Sequence, residues 1–290
     1  MRPTAHPRAI GSTCPTPLEG QGCTPRHHPL QRNGALFHVG PFAITGYTIL
    51  LDIGLLCGAM LSYLKARRGG FSVTQAADAI LAVALGGLLG GRAVYVTIHW
   101  PYYDDYLRRA LRIWDGGLAW QGAVVGGVIT LSAHCAARRV PLGRMLDALT
   151  PGAAVVAVFG WLACLATGCA CGVETYPVQR LLWSLSLELP DLYGIREPRV
   201  ALQLLGAGWS LVVLIAVLVT ERGPRCTGLR LPLWLSLYSA GSFALGFLRA
   251  DEVPLAAGWR VDQLADAALA LIAAIVLLTG LLKTRKVEER

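Results

Sequence analysis

The sequence predicts an all-α fold, a polytopic membrane helix bundle of about seven transmembrane helices. Three observations predict it. Of the 290 residues 54% are hydrophobic and only 15% are charged, and the mean hydropathy is +0.51, more apolar than a soluble domain needs. The apolar residues gather in stretches of about twenty, the length that crosses roughly 30 Å of hydrocarbon at about 1.5 Å per residue. Helices and closed barrels alone satisfy their backbone groups in lipid, and stretches this long are helical.

Seven spans follow: residues 42–64, 79–98, 116–136, 146–170, 200–220, 229–248 and 263–282. An odd number of spans places the two termini on opposite sides. Lys and Arg divide almost evenly between the two sets of loops and tails, so counting alone gives no orientation. The rule weighs short loops near span ends most, and KARR (65–68), ARR (137–139) and KTRK (283–286) are such clusters. They place the C-terminus in the cytoplasm, with residues 283–290 as a basic cytoplasmic tail. Residues 1–35, rich in Pro, His and Arg and without the apolar core of a signal peptide, read as a disordered extension or a misplaced start. Residues 36–282 then form one membrane domain.

The net charge of +8 comes from clusters at loop ends and not from a continuous basic face. Anionic membrane lipids are the expected partner, and no nucleic acid is. Of the eight cysteines, Cys57, Cys135, Cys164 and Cys169 fall within spans, which gives no secreted disulfide framework. Cys169 and Cys171 are separated by one residue with no second ligand pair, so no metal is expected and buried packing is the better reading.

Within the spans, small residues recur at four-residue spacing: Gly54 and Gly58, Gly86 and Gly90, Gly87 and Gly91, Gly122 and Gly126. Helix backbones approach closely along such faces. Polar groups inside the spans need another account, because a charge at the bilayer centre costs about 2.5–3.5 kcal/mol on insertion scales. Arg92, Tyr95 and His99 share one helical face, as do Tyr238, Ser242, Gly246 and Arg249. The first stripe points into the bundle or snorkels past its aromatic neighbours; the second points inward or ends in a solvated Arg249. Tyr47 sits near a boundary, where tyrosine commonly marks the interface. Asp52 falls deeper and is expected to be protonated or paired, with a functional role as the default. Asp147, at the start of the fourth span, is read as structural, where a carboxylate favours a helix N-terminus.

Taken in order, HVGPFAITGYTILL, GGRAVYV, IWDGGLAWQGAVVGG, FGWLACLATGCACG, REPRVALQ and LYSAGSFALGFLR resemble prolipoprotein diacylglyceryl transferase from about residue 36 to 282. The resemblance implies a seven-helix enzyme of the bacterial inner (plasma) membrane. Such an enzyme moves a diacylglyceryl group from phosphatidylglycerol to the lipobox cysteine of a prolipoprotein, releases glycerol phosphate and needs no cofactor. Tyr47 corresponds to the family's first-helix tyrosine, and Arg92 and Tyr95 lie in its glycine-glycine-arginine motif. Trp114, Gly116, Gly117, Asp147, Pro151, Gly160, Gly168, Gly172, Pro198, Tyr238 and Arg249 also match.

The departures are specific. Gln121 stands at the family's histidine and Ala123 at one of its glycines. Trp161 and Cys164 stand where the family carries an arginine and an asparagine, and Ser242 and Gly246 where it carries an arginine and a glutamate. A loop motif with histidine, proline, glutamine and tyrosine is reduced to Glu197 and Pro198, with Val200 and Leu202 at the last two places.

Such a transfer replaces a C–O bond to phosphate by a C–S bond. It needs a thiolate, from a thiol with a pKa of about 8.5, and a stabilised phosphate leaving group. Arginine's planar fork suits phosphate. The expected catalytic residues are Arg92, Gln121, Tyr47, Tyr238 and His99; the expected substrate-binding residues are Arg92, Arg249, Tyr95, Trp114, Gly116, Gly117 and Ser242. Gln121 can orient a headgroup but cannot take a proton at neutral pH, and His99 is the nearest substitute base. Two other readings remain open: a catalytically silent relative that binds anionic phospholipid or lipoprotein precursor, and an unrelated small-molecule transporter.

Overall fold

The computed structural model describes residues 35–39, 42–113, 116–190, 196–220, 228–250, 255–256 and 259–288. Strands β1 (Ala35–Val39) and β2 (Phe42–Thr45) form an antiparallel hairpin. The long helices are α1 (Gly46–Arg68), α2 (Val73–Ile98), α5 (Trp120–Arg138), α6 (Leu142–Thr167), α8 (Leu202–Val219), α9 (Arg230–Gly246) and α10 (Val261–Glu288). Between them lie the short helices α3 (Trp100–Tyr103), α4 (Leu107–Ala110) and α7 (Arg180–Ser184), the hairpin β3 (Ser186–Pro190) with β4 (Arg196–Val200), and the two-residue strands β5 (Leu255–Ala256) and β6 (Trp259–Arg260).

The all-α membrane bundle expected from composition is the fold observed. Each expected span has its helix, and α1, α2, α6, α8 and α10 are long and apolar enough to cross a membrane. The boundaries move for local reasons. The first span starts at Gly46 and not at residue 42, because Phe42–Thr45 pairs as a strand and Thr45 then caps α1 in a capping box with Thr48. Ser72 and Gln75 do the same for α2, which therefore begins at Val73, six residues before the expected start. The third span begins at Trp120, since Gly116 and Gly117 both take positive φ (81° and 80°), which a helix cannot. At the other end of the chain, α10 continues to Glu288, so most of the expected basic tail is helical. The N-terminal extension, but for Ala35, lies outside the described residues.

Glycine faces set the close packing. A Cβ on Gly90 would meet the Gly122 carbonyl and the Gly126 Cα, and one on Gly126 would meet the Gly86 carbonyl, so α2 and α5 touch backbone to backbone. Gly58 and Gly152 bring α1 and α6 together in the same way, and Ser62 Oγ donates across that seam to the Leu149 carbonyl (3.3 Å). These contacts pair Gly54 with Phe159 and Gly246 with Gln263, so α1 runs antiparallel to α6 and α9 to α10. The outward faces carry exposed Leu56, Leu89, Ile129 and Leu271, as helices bordering hydrocarbon require.

Two aspartates take different places. Asp52 lies on the exposed face of α1, less than two turns from its start, so it sits nearer the helix end than the depth expected of it. Asp147 is buried on α6 and accepts from the Gly228 N–H and, at 3.1 Å, from the Arg230 N–H, so it satisfies the first donors of α9. Pro151, one turn on, has no N–H for the Asp147 carbonyl, and Arg230 Nη1 reaches that oxygen at 3.4 Å. Asp147 is thus structural, as read, but the helix it caps is not its own.

The cysteines also differ from expectation. Gly168 (φ 70°) turns the chain back at the end of α6, Cys169 N–H donates to the Cys164 carbonyl at 3.1 Å, and Cys164 and Cys169 are joined as a disulfide. Spacing alone did not reveal it, because a five-residue separation closes only when a left-handed residue folds the helix end onto itself.

Candidate functional site

Seven helix ends gather at the end of the bundle where α6 and α9 finish and α8 and α10 begin. There, residues from four long helices and the chain just beyond α9 line a cavity of about 340 Å3, counting its open mouth: Trp120, Trp161, Tyr238, Ser242, Gly246, Arg249, Asp262, Gln263 and Asp266. The α9 stripe legible in the sequence is its floor. Tyr238 is buried there, with its ring edge-on to Trp120 (4.9 Å) and stacked on Trp234 (5.4 Å).

Charge enters from both walls. Arg249 Nη1 lies 3.1 Å from Asp262 Oδ2, and Arg260 Nε lies 3.2 Å from Asp262 Oδ1, so one carboxylate organises two guanidinium groups. The position of Arg249 is fixed by backbone: Val173 N–H donates to the Leu248 carbonyl and Ala250 N–H to the Cys171 carbonyl, each at 2.9 Å, which zips 171–173 against 248–250. The Arg249 side chain keeps 24% of its surface exposed. Deeper in, Gln121 Nε2 donates to Asp266 Oδ1 at 2.7 Å and reaches the Asp262 carbonyl at 3.4 Å. Gln263 fills the space that a side chain at Gly246 would take, and Nε2 donates to the Phe243 carbonyl at 3.2 Å.

Arg92 belongs to a second cluster. Its guanidinium is buried and meets five carbonyls: Nε donates to Ala110 (2.8 Å), Nη2 to Arg109 (2.7 Å) and Arg112 (3.0 Å), and Nη1 to Gly116 (2.5 Å) and Gly117 (3.1 Å). An arginine has five N–H groups, and each has its acceptor in the 109–117 segment. Tyr95 and Tyr103 flank the guanidinium at 5.9 and 5.4 Å, His99 stacks on Tyr95 at 4.2 Å, and Gly117 admits the Tyr95 ring where a Cβ would clash. His99 Nδ1 lies 3.0 Å from the Tyr95 carbonyl.

So Tyr238, Ser242 and Arg249 come together at the cavity, with Gln121 behind it on Asp266, while Arg92, Tyr95, His99, Gly116 and Gly117 form a separate, loop-holding group. Tyr47 is half-buried in the first turn of α1 and does not line the cavity. Trp114 lies outside the described residues.

The sequence model of prolipoprotein diacylglyceryl transferase matches residues 34–279, which cover the first hairpin, six of the long helices, most of α10 and both clusters. The chain belongs to that family. Among its relatives, the phosphatidylglycerol--prolipoprotein diacylglyceryl transferase of Streptococcus equi subsp. zooepidemicus (strain MGCS10565) is 27% identical over 248 residues, covering 84% of this chain and 93% of the relative. The protein of the same name from Rhodococcus jostii (strain RHA1) is 30% identical over 270 residues, 87% of this chain and 74% of the relative. That from Bacillus licheniformis is 25% identical over 262 residues, 88% and 95%.

As a prolipoprotein diacylglyceryl transferase family member, the chain is a membrane transferase of lipoprotein biosynthesis. Its departures from the family pattern now have places. Trp161 and Ser242 are cavity walls, Gly246 makes room for Gln263, and Cys164 is half of the disulfide. Val200 and Leu202 are fully buried where β4 runs into α8. Sequence reasoning missed Asp262, Gln263 and Asp266, although the signal was present: VDQLAD opens the last apolar span with carboxylates at i and i+4. The rule that singled out Asp52 applies equally to Asp266.

Proposed function

We propose that this chain transfers the diacylglyceryl group of phosphatidylglycerol to the lipobox cysteine of a prolipoprotein, with the headgroup bound in the cavity between α9 and α10. The observation that carries this reading is the Arg249–Asp262–Arg260 ion-pair cluster, two members of which line a cavity whose wall also holds Tyr238, Ser242 and Asp266, the last bonded from behind by Gln121. A phosphodiester entering there meets the Arg249 guanidinium, held in one orientation by Asp262. A fixed cation beside the leaving phosphate stabilises the charge that develops as the C–O bond breaks. Ser242 and Tyr238 supply hydroxyl groups at hydrogen-bonding depth for the glycerol headgroup. Gln121 orients the Asp266 carboxylate.

The second cluster is read as support for the approach to α5. Arg92 holds the Gly116 and Gly117 carbonyls, and with them the approach to α5. Tyr95 and His99 buttress that guanidinium. Tyr47 sits in the first turn of α1, at the same end of the bundle.

That end is assigned to the outer side of the bacterial inner membrane. The KARR, ARR and KTRK clusters border the opposite end, and the Cys164–Cys169 disulfide supports an oxidising compartment for this one. Prolipoproteins present their lipobox cysteine there, and phosphatidylglycerol supplies the lipid.

The test is the reaction itself. Purified protein in vesicles containing phosphatidylglycerol, given a lipobox peptide, is expected to yield peptide with a diacylglyceryl thioether on cysteine, detected by mass spectrometry. Folded protein that binds the lipid without forming the thioether would favour the silent relative and refute transfer.

A further inference from the structure

We propose that Asp266 accepts the proton of the attacking thiol. The inference deepens the transfer reading above and rests on it. Asp266 lines the cavity and is buried, so its carboxylate faces the space where the headgroup and thiol must meet. It accepts from Gln121 Nε2 at 2.7 Å and interacts with the Trp120 side chain. An ionised carboxylate offers about four acceptor positions, so two donors orient it and leave capacity for a third.

The other polar groups of the cavity do not serve. Gln263 is an amide, Tyr238 and Ser242 are weak acids, and Arg249 is a cation without an acceptor. Asp262 has both oxygens committed: Oδ1 to Arg260 Nε (3.2 Å) and the Gln263 N–H (3.0 Å), Oδ2 to Arg249 (3.1 Å) and Arg260 Nη2 (3.3 Å). Beyond the cavity, His99 is tied to Tyr95, Asp147 caps α9, and Asp52 faces outward from α1. Asp266 is the carboxylate at the cavity wall that is oriented by neutral donors instead of being consumed in the ion-pair cluster.

The S–H bond of the lipobox cysteine breaks and its proton moves to an Asp266 oxygen. The thiolate sulfur forms a C–S bond to the diacylglyceryl carbon bearing the phosphate ester as the C–O bond breaks. The electron pair departs on the phosphate oxygen beside Arg249, and the proton leaves Asp266 for the released glycerol phosphate or water.

The experiment compares two peptides, one with cysteine in the lipobox and one with selenocysteine, whose selenol is largely ionised at neutral pH and needs no base. Thioether and selenoether formation are measured for wild type, Asp266→Asn and Asp266→Glu. Asp266→Asn is expected to slow thioether formation by about 100-fold or more, the lower range for loss of a general base, while selenoether formation stays within about threefold of wild type. Asp266→Glu, which moves the carboxyl by one methylene, is expected to slow the thiol reaction by about tenfold and spare the selenol reaction. Equal loss on both peptides in folded Asp266→Asn overturns the proposal, and so does an undiminished thiol rate. If the Asn variant does not fold, Asp266→Glu decides by the same contrast. A wild-type chain that makes neither product refutes the transfer reading and the base with it; an active wild type with an unaffected Asp266→Asn refutes the base alone.

Discussion

Gln121 on α5 and Asp266 on α10 meet inside the bundle, Nε2 to Oδ1 at 2.7 Å, across 145 positions of chain. Hydrogen bonds to a charged group contribute about 1.5–3 kcal/mol, and removing one partner leaves the other desolvated. Gln121→Ala is therefore expected to destabilise the protein by about that amount, read as a lowered melting temperature in detergent. Gln121→Glu, which sets two carboxylates against each other, should cost more unless one is protonated. A melting temperature unchanged in both variants would show that the contact contributes nothing.

Arg249 is expected to act on the lipid and Arg92 on the loop. Arg249→Ala removes the cation at the cavity mouth and leaves Asp262 with Arg260. Loss of a charge-assisted phosphate contact of about 1.5–3 kcal/mol corresponds to a roughly 10- to 100-fold rise in KM for phosphatidylglycerol. Arg249→Lys should recover part of it as a point charge without the fork. An unchanged KM in both would remove Arg249 from the phosphate.

Arg92→Lys has the opposite signature. Lysine has three donors for the five carbonyls that Arg92 now serves, so at least two part-buried acceptors lose their partner, at about 1 kcal/mol each. Limited proteolysis should cut the 109–117 segment faster in the variant, with a lower melting temperature. A rise in lipid KM with the segment equally protected would instead place Arg92 on the substrate.

The α2–α5 seam supplies a stability test with its own control. Gly126→Val would push a side chain into the Gly86 carbonyl and the Gly90 Cα, and overpacking of this kind costs about 1–3 kcal/mol or more. Gly208 on α8 has open space where a Cβ would go, and Gly208→Ala should be neutral or stabilising by up to about 1 kcal/mol. Equal melting temperatures for the two variants would contradict backbone contact at the seam.

The disulfide tests orientation. In cells with a permeabilised outer membrane, an impermeant reductant should raise labelling by an impermeant maleimide above the level without reductant, and that increment should be lost in Cys164→Ser/Cys169→Ser. Reduction-dependent labelling only after the inner membrane is opened would invert the topology.

How much of this was legible in the sequence follows from the range of the signals. The helices and glycine seams were legible because apolar length and four-residue spacing are properties of one segment read alone. The α9 stripe from Tyr238 to Arg249 was legible for the same reason. What was not legible depends on two segments at once: that Arg92 spends all five donors on a loop about twenty residues away, that Gln263 occupies the room left by Gly246, and that Gln121 finds a carboxylate on the last helix. The hairpin Phe42–Thr45 was read as helix because its apolar residues continue the hydropathy of α1 without a break. Only the partner strand ends that ambiguity.

The central claim is that the lipid headgroup binds between α9 and α10, and photocrosslinking tests it most directly. Phosphatidylglycerol carrying a photoreactive group on its headgroup glycerol, irradiated in vesicles with the intact protein, is expected to modify peptides containing Tyr238–Arg249 and Asp262–Asp266. Modification confined to Arg92–His99 and the 109–117 segment, with the α9 and α10 peptides untouched, would contradict it.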